Sequence, residues 1–279
     1  MQQEFSDHFY FRDKELFDTK NVGNGAGIGV SVYEVIKVIS GIPLFFEDHL
    51  ERLKNSLVLS GLEYSNLQMT ELSTQIAALC KENDKYFGNI ELRISALPDN
   101  KCLMLLGFIP HHYPNAEDYE QGIKVGLLQA ERTLPNAKVK NTDTRIKANK
   151  YLADYKLPEV LLYNHEGLIT EGSRSNVFFI KGSLVFTAPA SMVLKGISRK
   201  YAIKTLMQLG ITLVEEALHI SDLSQMDGGF ICGTSPGVLP LNAVEEQLLD
   251  AKNPVLQKIL VAFNNQVTDY LASKVKNRH

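Results

Sequence analysis

The sequence predicts an α/β chain of two domains, a small α+β domain over residues 1–110 and a larger one over 122–279, joined by a linker at 111–121. Three observations predict it. Short runs of apolar, often β-branched residues alternate with stretches whose apolar positions recur at helical spacing. A polar stretch with two prolines and no periodicity, PHHYPNAEDYEQG, interrupts that alternation after the first third. A chain of 279 residues with 44% hydrophobic content is long enough to bury the core of one large or two modest domains.

In chain order, VSVYEVIKVI (Val30 to Ile39) reads as a strand, SGIP as a turn, and LFFEDHLERLKNSLVLSGL as a short strand entering a helix. Leu50, Leu53 and Leu57 mark that helix's buried face, and Glu47 and Asp48 sit near its start, where the dipole favours anions. A second amphipathic helix, opened by Thr70, occupies TELSTQIAALCKEN, and NIELRISAL and KCLMLLGFI are strands around the turn PDN. After the linker, IKVGLLQAER is a strand, and TLPNAKVKN leads into a helix with Asn141, Thr142 and Asp143 as natural caps. EVLLYNHEGLITEG and SNVFFIKGSLVFTAP are each two short strands around a turn. GISRKYAIKTLMQLGITLVEEAL is a helix stopped by Gly210 and followed by a strand, and GGFICGTSPGVLPLNAV is a strand ending in a Gly/Thr/Ser loop. The last 25 or so residues form an amphipathic helix.

Composition narrows the function. A net charge of −3 without a basic stripe or acidic tail favours a small soluble ligand over nucleic acid or an anionic membrane. Cys80, Cys102 and Cys232 are far apart and form no metal spacing, which fits structural thiols in a reducing compartment. The N-terminus lacks a basic start followed by an apolar core, and no apolar run approaches ~20 residues, so a cytoplasmic location is expected. GNGAGIG (Gly23 to Gly29) lacks the dinucleotide-binding register and enters a strand, so it reads as a loop. His111 and His112 have no third ligand at metal spacing, and neither a G-x-S-x-G nor a zinc-hydrolase motif is present; no metal is expected.

One constellation remains in the second half: Lys138, Glu171 with Ser173 and Ser175, Gly196-Ile197-Ser198, and Gly233-Thr234-Ser235. Glycine-opened N–H groups beside a hydroxyl, and the free N–H groups of a helix beginning at KGISRKYAI, suit a phosphate. With a lysine able to form a Schiff base and a carboxylate able to hold a pyridinium nitrogen, these loops fit pyridoxal phosphate. The plainer alternative is that Ser/Thr/Gly loops at helix starts are only caps.

ITEGSRSNVFFIKGSLVFTAPASMVLKGISR resembles the signature of the class IV, fold-type IV, pyridoxal-phosphate aminotransferases, the group of branched-chain and D-amino-acid aminotransferases and aminodeoxychorismate lyase. VYEVIKV followed by HLERL resembles the family's N-terminal domain, and GTSPGVLPL its late phosphate loop, so the likeness spans about residues 25–245. The resemblance implies a larger domain with a mixed, barrel-like sheet, a homodimer, and exchange of an amino group between an amino acid and a 2-oxo acid. It implies that Glu171 pairs with the pyridine nitrogen, that Arg52, Ile197, Ser198 and Thr234 hold the phosphate, that Ser175 also binds the cofactor, that Leu194 packs on the ring, and that Tyr33 lines the substrate pocket. The Schiff-base lysine is Lys138, Lys140 or Lys147. Lys138 stands 33 residues before Glu171 and opens Lys138-Val139-Lys140-Asn141, the register preferred here, whereas Lys147 falls a turn inside a helix. Three departures bear on the substrate. ALPDNK lacks the arginine and histidine of the D-amino-acid enzymes, Val35 stands where the lyase has threonine, and Arg174 is either a carboxylate anchor or an exposed turn residue. The alternatives are the lyase and, further off, a non-catalytic binder of pyridoxal phosphate or a phosphometabolite.

Overall fold

A computed structural model describes residues 5–21, 29–98, 101–132, 136–140 and 143–276. The glycine-rich residues 23–28, the turn residues Asp99 and Asn100, and the expected caps Asn141 and Thr142 lie outside the described residues. The chain divides into two compact units, Met1–His112 with Ala137–Lys140 and Tyr270–His279, and Tyr113–Asn136 with Asn141–Asp269.

In the first unit, strands β1 (Phe9–Arg12), β2 (Glu15–Asp18), β3 (Ser31–Ile39), β4 (Ile42–Pro43), β5 (Gly88–Ala96) and β6 (Cys102–Ile109) form an antiparallel sheet in the order β2-β1-β6-β5-β3-β4. Helices α1 (Phe46–Leu59) and α2 (Met69–Glu82) cover one face. Strand alternation explains the layer: Val32, Ile36 and Val38 of β3 and Ile90, Leu92 and Ile94 of β5 pack against Leu50, Leu53 and Leu57 of α1 and Leu72, Ile76 and Leu79 of α2. The β3–β4 turn needs positive φ at Ser40 and Gly41 (51° and 73°), the geometry that matches hairpin twist. Glu47, in the first turn of α1, is held by the Tyr270 hydroxyl and by Lys274.

The second unit contains α3 (Ala116–Gln121), β7 (Ile123–Gln129), α4 (Asp143–Tyr155), β8 (Val160–Tyr163), β9 (Ile169–Gly172), β10 (Asn176–Lys181), β11 (Leu184–Phe186), α5 (Ile197–Gln208), β12 (Thr212–Val214), β13 (Gly228–Gly233), β14 (Gly237–Val244), β15 (Gln247–Leu248) and most of α6 (Pro254–Lys276). Its mixed sheet runs β12-β11-β10-β13-β14-β7-β8-β9 with β15 beside β14, and it curls into a half-barrel. Parallel pairs join β11 to β12, β14 to β7 and β7 to β8. Phe178 and Phe230, opposite each other on β10 and β13, stack 4.8 Å apart on the face that α5 and α6 cover with Ala202, Leu206, Leu256, Ile259 and Phe263.

The periodic stretches became the expected elements, and four local readings changed. The short strand expected at Leu44 is instead β4, Ile42–Pro43, within the stretch read as a turn. The hairpin of β1 and β2 was not expected; Asp13, in the left-handed region at φ 51°, makes its turn. Residues 116–121, read as part of an irregular linker, form α3, which is too short for a periodic signal but is opened by a capping box of Asn115 and Asp118. Helix α2 starts one residue earlier than Thr70, with Gln68 at its N-cap position. No helix among the described residues is long and apolar enough to cross a membrane.

Candidate active site

The second unit gathers the proposed cofactor residues at one end of its sheet. Glu171, near the end of β9, is only 2% exposed. Its Oε1 forms a 2.6 Å ion pair with Arg132 Nε, and its Oε2 accepts the backbone N–H of Leu194 at 3.2 Å. Leu194 is itself buried, and its carbonyl accepts from Asn176 Nδ2 and from the N–H of Gly196. The chain then enters α5 at Ile197 with Gly196 as N-cap, without a side-chain cap and without an acidic residue in the first turn. Buried Ile197 and half-buried Ser198 therefore open a helix whose first N–H groups face no capping side chain. A Cβ at Gly196 would lie 2.1 Å from Asn176 Oδ1, so a side chain there would displace Asn176 or the loop. Asn176 in turn pairs with Cys232 of β13, two residues before Thr234, which is half-buried in the β13–β14 turn. A cavity of about 160 Å³ adjoins Glu171 and is lined by Glu131, Arg132, Leu162, Thr170, Ser191 and Met192.

The turn after Glu171 is held by a second buried carboxylate. Glu159 accepts from the Ser173 hydroxyl (2.6 Å), the Ser175 hydroxyl (2.8 Å) and the backbone N–H groups of Ser173 and Arg174. Ser175 thus shapes the turn through Glu159. Arg174 is exposed and donates to Asn149 of α4 at 2.8 Å. Lys147 is exposed on α4.

The first unit holds the two other lysines and Arg52. Residues 137–140 attach to β3 through the Val32–Val139 bridge: the Tyr33 N–H donates to the Lys138 carbonyl at 3.1 Å, and the Lys140 N–H to the Ser31 carbonyl at 2.9 Å. Alternation turns both lysines to the face that carries Tyr33, with Lys138 Nζ 4.9 Å and Lys140 Nζ 6.0 Å from the centre of its ring. Lys140 Nζ is also 2.6 Å from Glu91 Oε1.

On the opposite face of β3, fully buried Glu34 interrupts the apolar row of Val32, Ile36 and Val38. It accepts both Nε (2.8 Å) and Nη2 (2.5 Å) of Arg52 and meets His49 Nδ1 at 2.7 Å. Burial alone would raise the Glu34 carboxyl, but the Arg52 charge and the hydrogen bonds from Arg52 and His49 outweigh it and hold the group at about 2. Burial also pushes the His49 imidazole down, against the opposing pull of Glu34. A carboxylate can only accept, so neutral His49 carries its proton on Nδ1.

The structure thus brings together Glu171, Leu194, Ile197, Ser198 and Thr234 in one unit, and Lys138, Tyr33 and Arg52 in the other. Sequence reasoning missed Arg132, Asn176, Glu159, Glu34 and His49. Two had a readable signal: Glu34 is a charge in an apolar phase of a strand, and His49 precedes Arg52 by three on one helix face.

A buried carboxylate, paired with Arg132 and bound to the loop that opens an uncapped helix, thus stands in a mixed α/β fold. Comparison gives it a family. Residues 31–244 match the Amino-transferase class IV family, and the chain belongs to it. It is 26% identical over 263 residues to the D-alanine aminotransferase of Bacillus licheniformis, covering 90% of this chain and 92% of that one. It is 25% identical over 238 residues to the aminodeoxychorismate lyase of Bacillus subtilis, covering 78% of each. The branched-chain amino acid aminotransferase of Escherichia coli shares the fold, with a TM-score of 0.83 at 22% identity over 93% of this chain and 94% of that one.

Proposed function

We propose that the protein transfers an amino group between an amino acid and a 2-oxo acid with pyridoxal phosphate as its cofactor, acting as a cytoplasmic homodimer. The observation that carries this reading is Glu171: a buried carboxylate, fixed by Arg132 and the Leu194 N–H, immediately beside the loop that leads to the free N-terminus of α5. The residues present fit the cofactor. An uncapped helix start with Ser198 suits its phosphate, a buried anion suits its ring nitrogen, and the Gly196–Asn176 contact leaves no room for a side chain on the loop.

Bound pyridoxal phosphate supplies an electron sink for the substrate's α-carbon. The chain supplies the rest. Glu171 holds a proton at the ring nitrogen; Arg52, the backbone at Ile197, Ser198 and Thr234 bind phosphate; Leu194 packs on the ring; Ser175 fixes the turn that carries Glu171. Lys138 would hold the cofactor and would move the proton at the substrate's α-carbon. Lys138 is preferred to Lys140 for its register, 33 residues before Glu171, and to Lys147 because that residue is exposed on α4. Tyr33 lines the substrate pocket, and exposed Arg174 serves substrate only at its rim.

The test is a single-turnover absorbance screen. Purified protein should be yellow, and at least one amino acid, supplied without an oxo acid, should convert the cofactor stoichiometrically to pyridoxamine phosphate. The similarity to aminodeoxychorismate lyase keeps one rival: no conversion with any amino acid of either hand, together with formation of pyruvate and 4-aminobenzoate from aminodeoxychorismate, would replace the transaminase by the lyase. Val35, without a hydroxyl, favours the transaminase.

A further inference from the structure

The turn between β9 and β10 carries Glu171 on one side and Asn176 on the other. Glu159, 4% exposed and one residue before β8, lies beside that turn because the β8–β9 register sets Leu162 opposite Glu171 and Leu161 opposite Gly172. Both of its oxygens accept. Oε1 takes the Ser173 hydroxyl at 2.6 Å, the Ser173 N–H at 3.1 Å and the Val160 N–H at 2.9 Å, and Oε2 takes the Ser175 hydroxyl at 2.8 Å and the Arg174 N–H at 3.1 Å. The Ser173 carbonyl in turn accepts from Arg132 Nη2 at 3.0 Å and from Arg145 Nη1 at 2.7 Å. That same Arg132 pairs through Nε with Glu171 Oε1 at 2.6 Å. Asn176 Nδ2 donates to the Leu194 carbonyl at 3.0 Å, and the Leu194 N–H donates to Glu171 Oε2 at 3.2 Å. Each Glu171 oxygen therefore meets a group that is itself tied to the turn, Arg132 through Ser173 and Leu194 through Asn176.

We propose that Glu159 is a positioning residue for the amino-group exchange: by fixing the turn at residues 173–175 it sets, through Arg132 and Asn176, the place of the Glu171 carboxylate and with it the protonation of the cofactor's ring nitrogen. This rests on the function proposed above. A carboxylate accepts on both oxygens, whereas an amide accepts on one and donates from the other end. Hydroxyls can rotate to suit that change, but backbone N–H groups cannot. Glutamine at 159 would turn its NH2 group either toward the Arg174 N–H or toward those of Ser173 and Val160, and in both settings part of the turn is released. The turn is packed closely, since a Cβ on Gly172 would lie 2.0 Å from Ser175 Oγ and 3.1 Å from Glu159 Oε2. A released turn therefore carries the groups bonded to it out of place, and a charge-assisted hydrogen bond to the ring nitrogen holds only over a few tenths of an ångström.

The test loads the protein with pyridoxal phosphate isotopically labelled at the ring nitrogen and follows protonation of that atom by nitrogen NMR across pH, beside urea unfolding of each chain. The proteins are the unchanged chain, Glu159→Gln, Ser173→Ala, Glu171→Gln and the double variant Glu159→Gln with Glu171→Gln. In Glu159→Gln the pH at which the ring nitrogen loses its proton should fall by about one unit, the roughly tenfold weakening expected when a hydrogen bond to a charged group is lost. Ser173→Ala leaves both carboxylates in place, so its smaller shift in the same direction reports position alone. On the Glu171→Gln background, Glu159→Gln should add no shift, because the route ends at that carboxylate. A nitrogen titration in Glu159→Gln equal to that of the unchanged protein, whatever its loss of stability to urea, overturns the inference, as does a shift of the same size with and without Glu171. If Glu159→Gln does not fold, Ser173→Ala decides, and an unmoved titration there overturns the inference. An unchanged protein that takes up no cofactor, or whose bound cofactor has an unprotonated ring nitrogen at neutral pH, overturns the function or the Glu171 pairing on which this rests, a result separable from the others because it appears before any substitution is made.

Discussion

Replacing Glu34 by glutamine tests the physical reading of the first unit most directly. The substitution keeps size and shape and removes one charge from a fully buried site that faces Arg52 and His49. Two estimates of the cost converge. Removing one partner of a buried ion pair costs about 3–5 kcal/mol, because the other charge is left uncompensated. Independently, the carboxyl falls from 4.5 to about 2 on folding, and at 1.36 kcal/mol per unit that is on the order of 3 kcal/mol of stability. The sign follows from the direction. A depressed carboxylate stabilises the fold above its unfolded value of 4.5, and the contribution is lost as pH falls through the folded value of about 2. Urea unfolding of the cofactor-free protein and of Glu34→Gln, followed by circular dichroism from pH 7 to pH 3, should show a gap of about 3 kcal/mol at pH 7. The same linkage leaves about half of that gap at pH 3. A variant as stable as the unchanged protein at pH 7, or a gap that stays constant down to pH 3, would refute the account of Glu34 as the anion that holds Arg52.

Further outcomes follow from the placement of the other residues. Borohydride should trap the cofactor on the unchanged protein, Lys140→Ala and Lys147→Ala but not on Lys138→Ala; trapping lost only with Lys140→Ala would move the attachment two residues on. Arg52→Ala should weaken cofactor binding roughly ten- to a hundredfold, measured by equilibrium dialysis, and equal retention would remove its phosphate role. Glu171→Gln should retain cofactor yet turn over far more slowly, since a neutral partner cannot hold the ring nitrogen protonated; normal turnover would count against that pairing. Gly196→Ala should lose cofactor affinity while remaining folded, because the new methyl would meet Asn176 Oδ1 and push the loop from the start of α5; unchanged affinity would show that the loop tolerates a side chain.

Most of the fold was legible because it depends on periodicity. Val32, Ile36 and Val38 alternate, Leu50, Leu53 and Leu57 recur at helical spacing, and Gly210 at φ 65° ends α5 as its type suggests. What could not be read was short or long-range. Helix α3 has six residues, too few for a period, and the hairpin at Asp13 rests on one left-handed residue that glycine or asparagine would have advertised. The site divides the same way. Glu171, Ile197, Ser198 and Thr234 became candidates because they stand in short motifs at the ends of elements, whereas the residues that brace them act across large sequence distances. Arg132 reaches Glu171 from 39 residues away, and Glu159 holds Ser173 and Ser175 from 14 and 16. A charge partner at such separation leaves no spacing rule, and only the fold reveals it.

Strand β3 shows how one local rule serves two chemical ends. Successive side chains point to opposite faces, so the adjacent residues Tyr33 and Glu34 cannot share an environment. Glu34 turns toward α1, where a lone carboxylate among Val32, Ile36 and Leu53 would be untenable, and the sequence answers with Arg52 and His49 three residues apart on that helix. Tyr33 turns the other way, toward Lys138, Arg93 and the Glu91–Lys140 pair. A one-residue slip of β3 would exchange the two, burying the tyrosine against α1 and setting the acid beside the lysines. The register therefore separates the Glu34–Arg52 ion pair on the α1 face from Lys138 and the Glu91–Lys140 pair on the other. Eight consecutive pairs from Ser31–Ser95 to Val38–Gly88, with apolar residues packed on the α1 face along their length, hold that register in place.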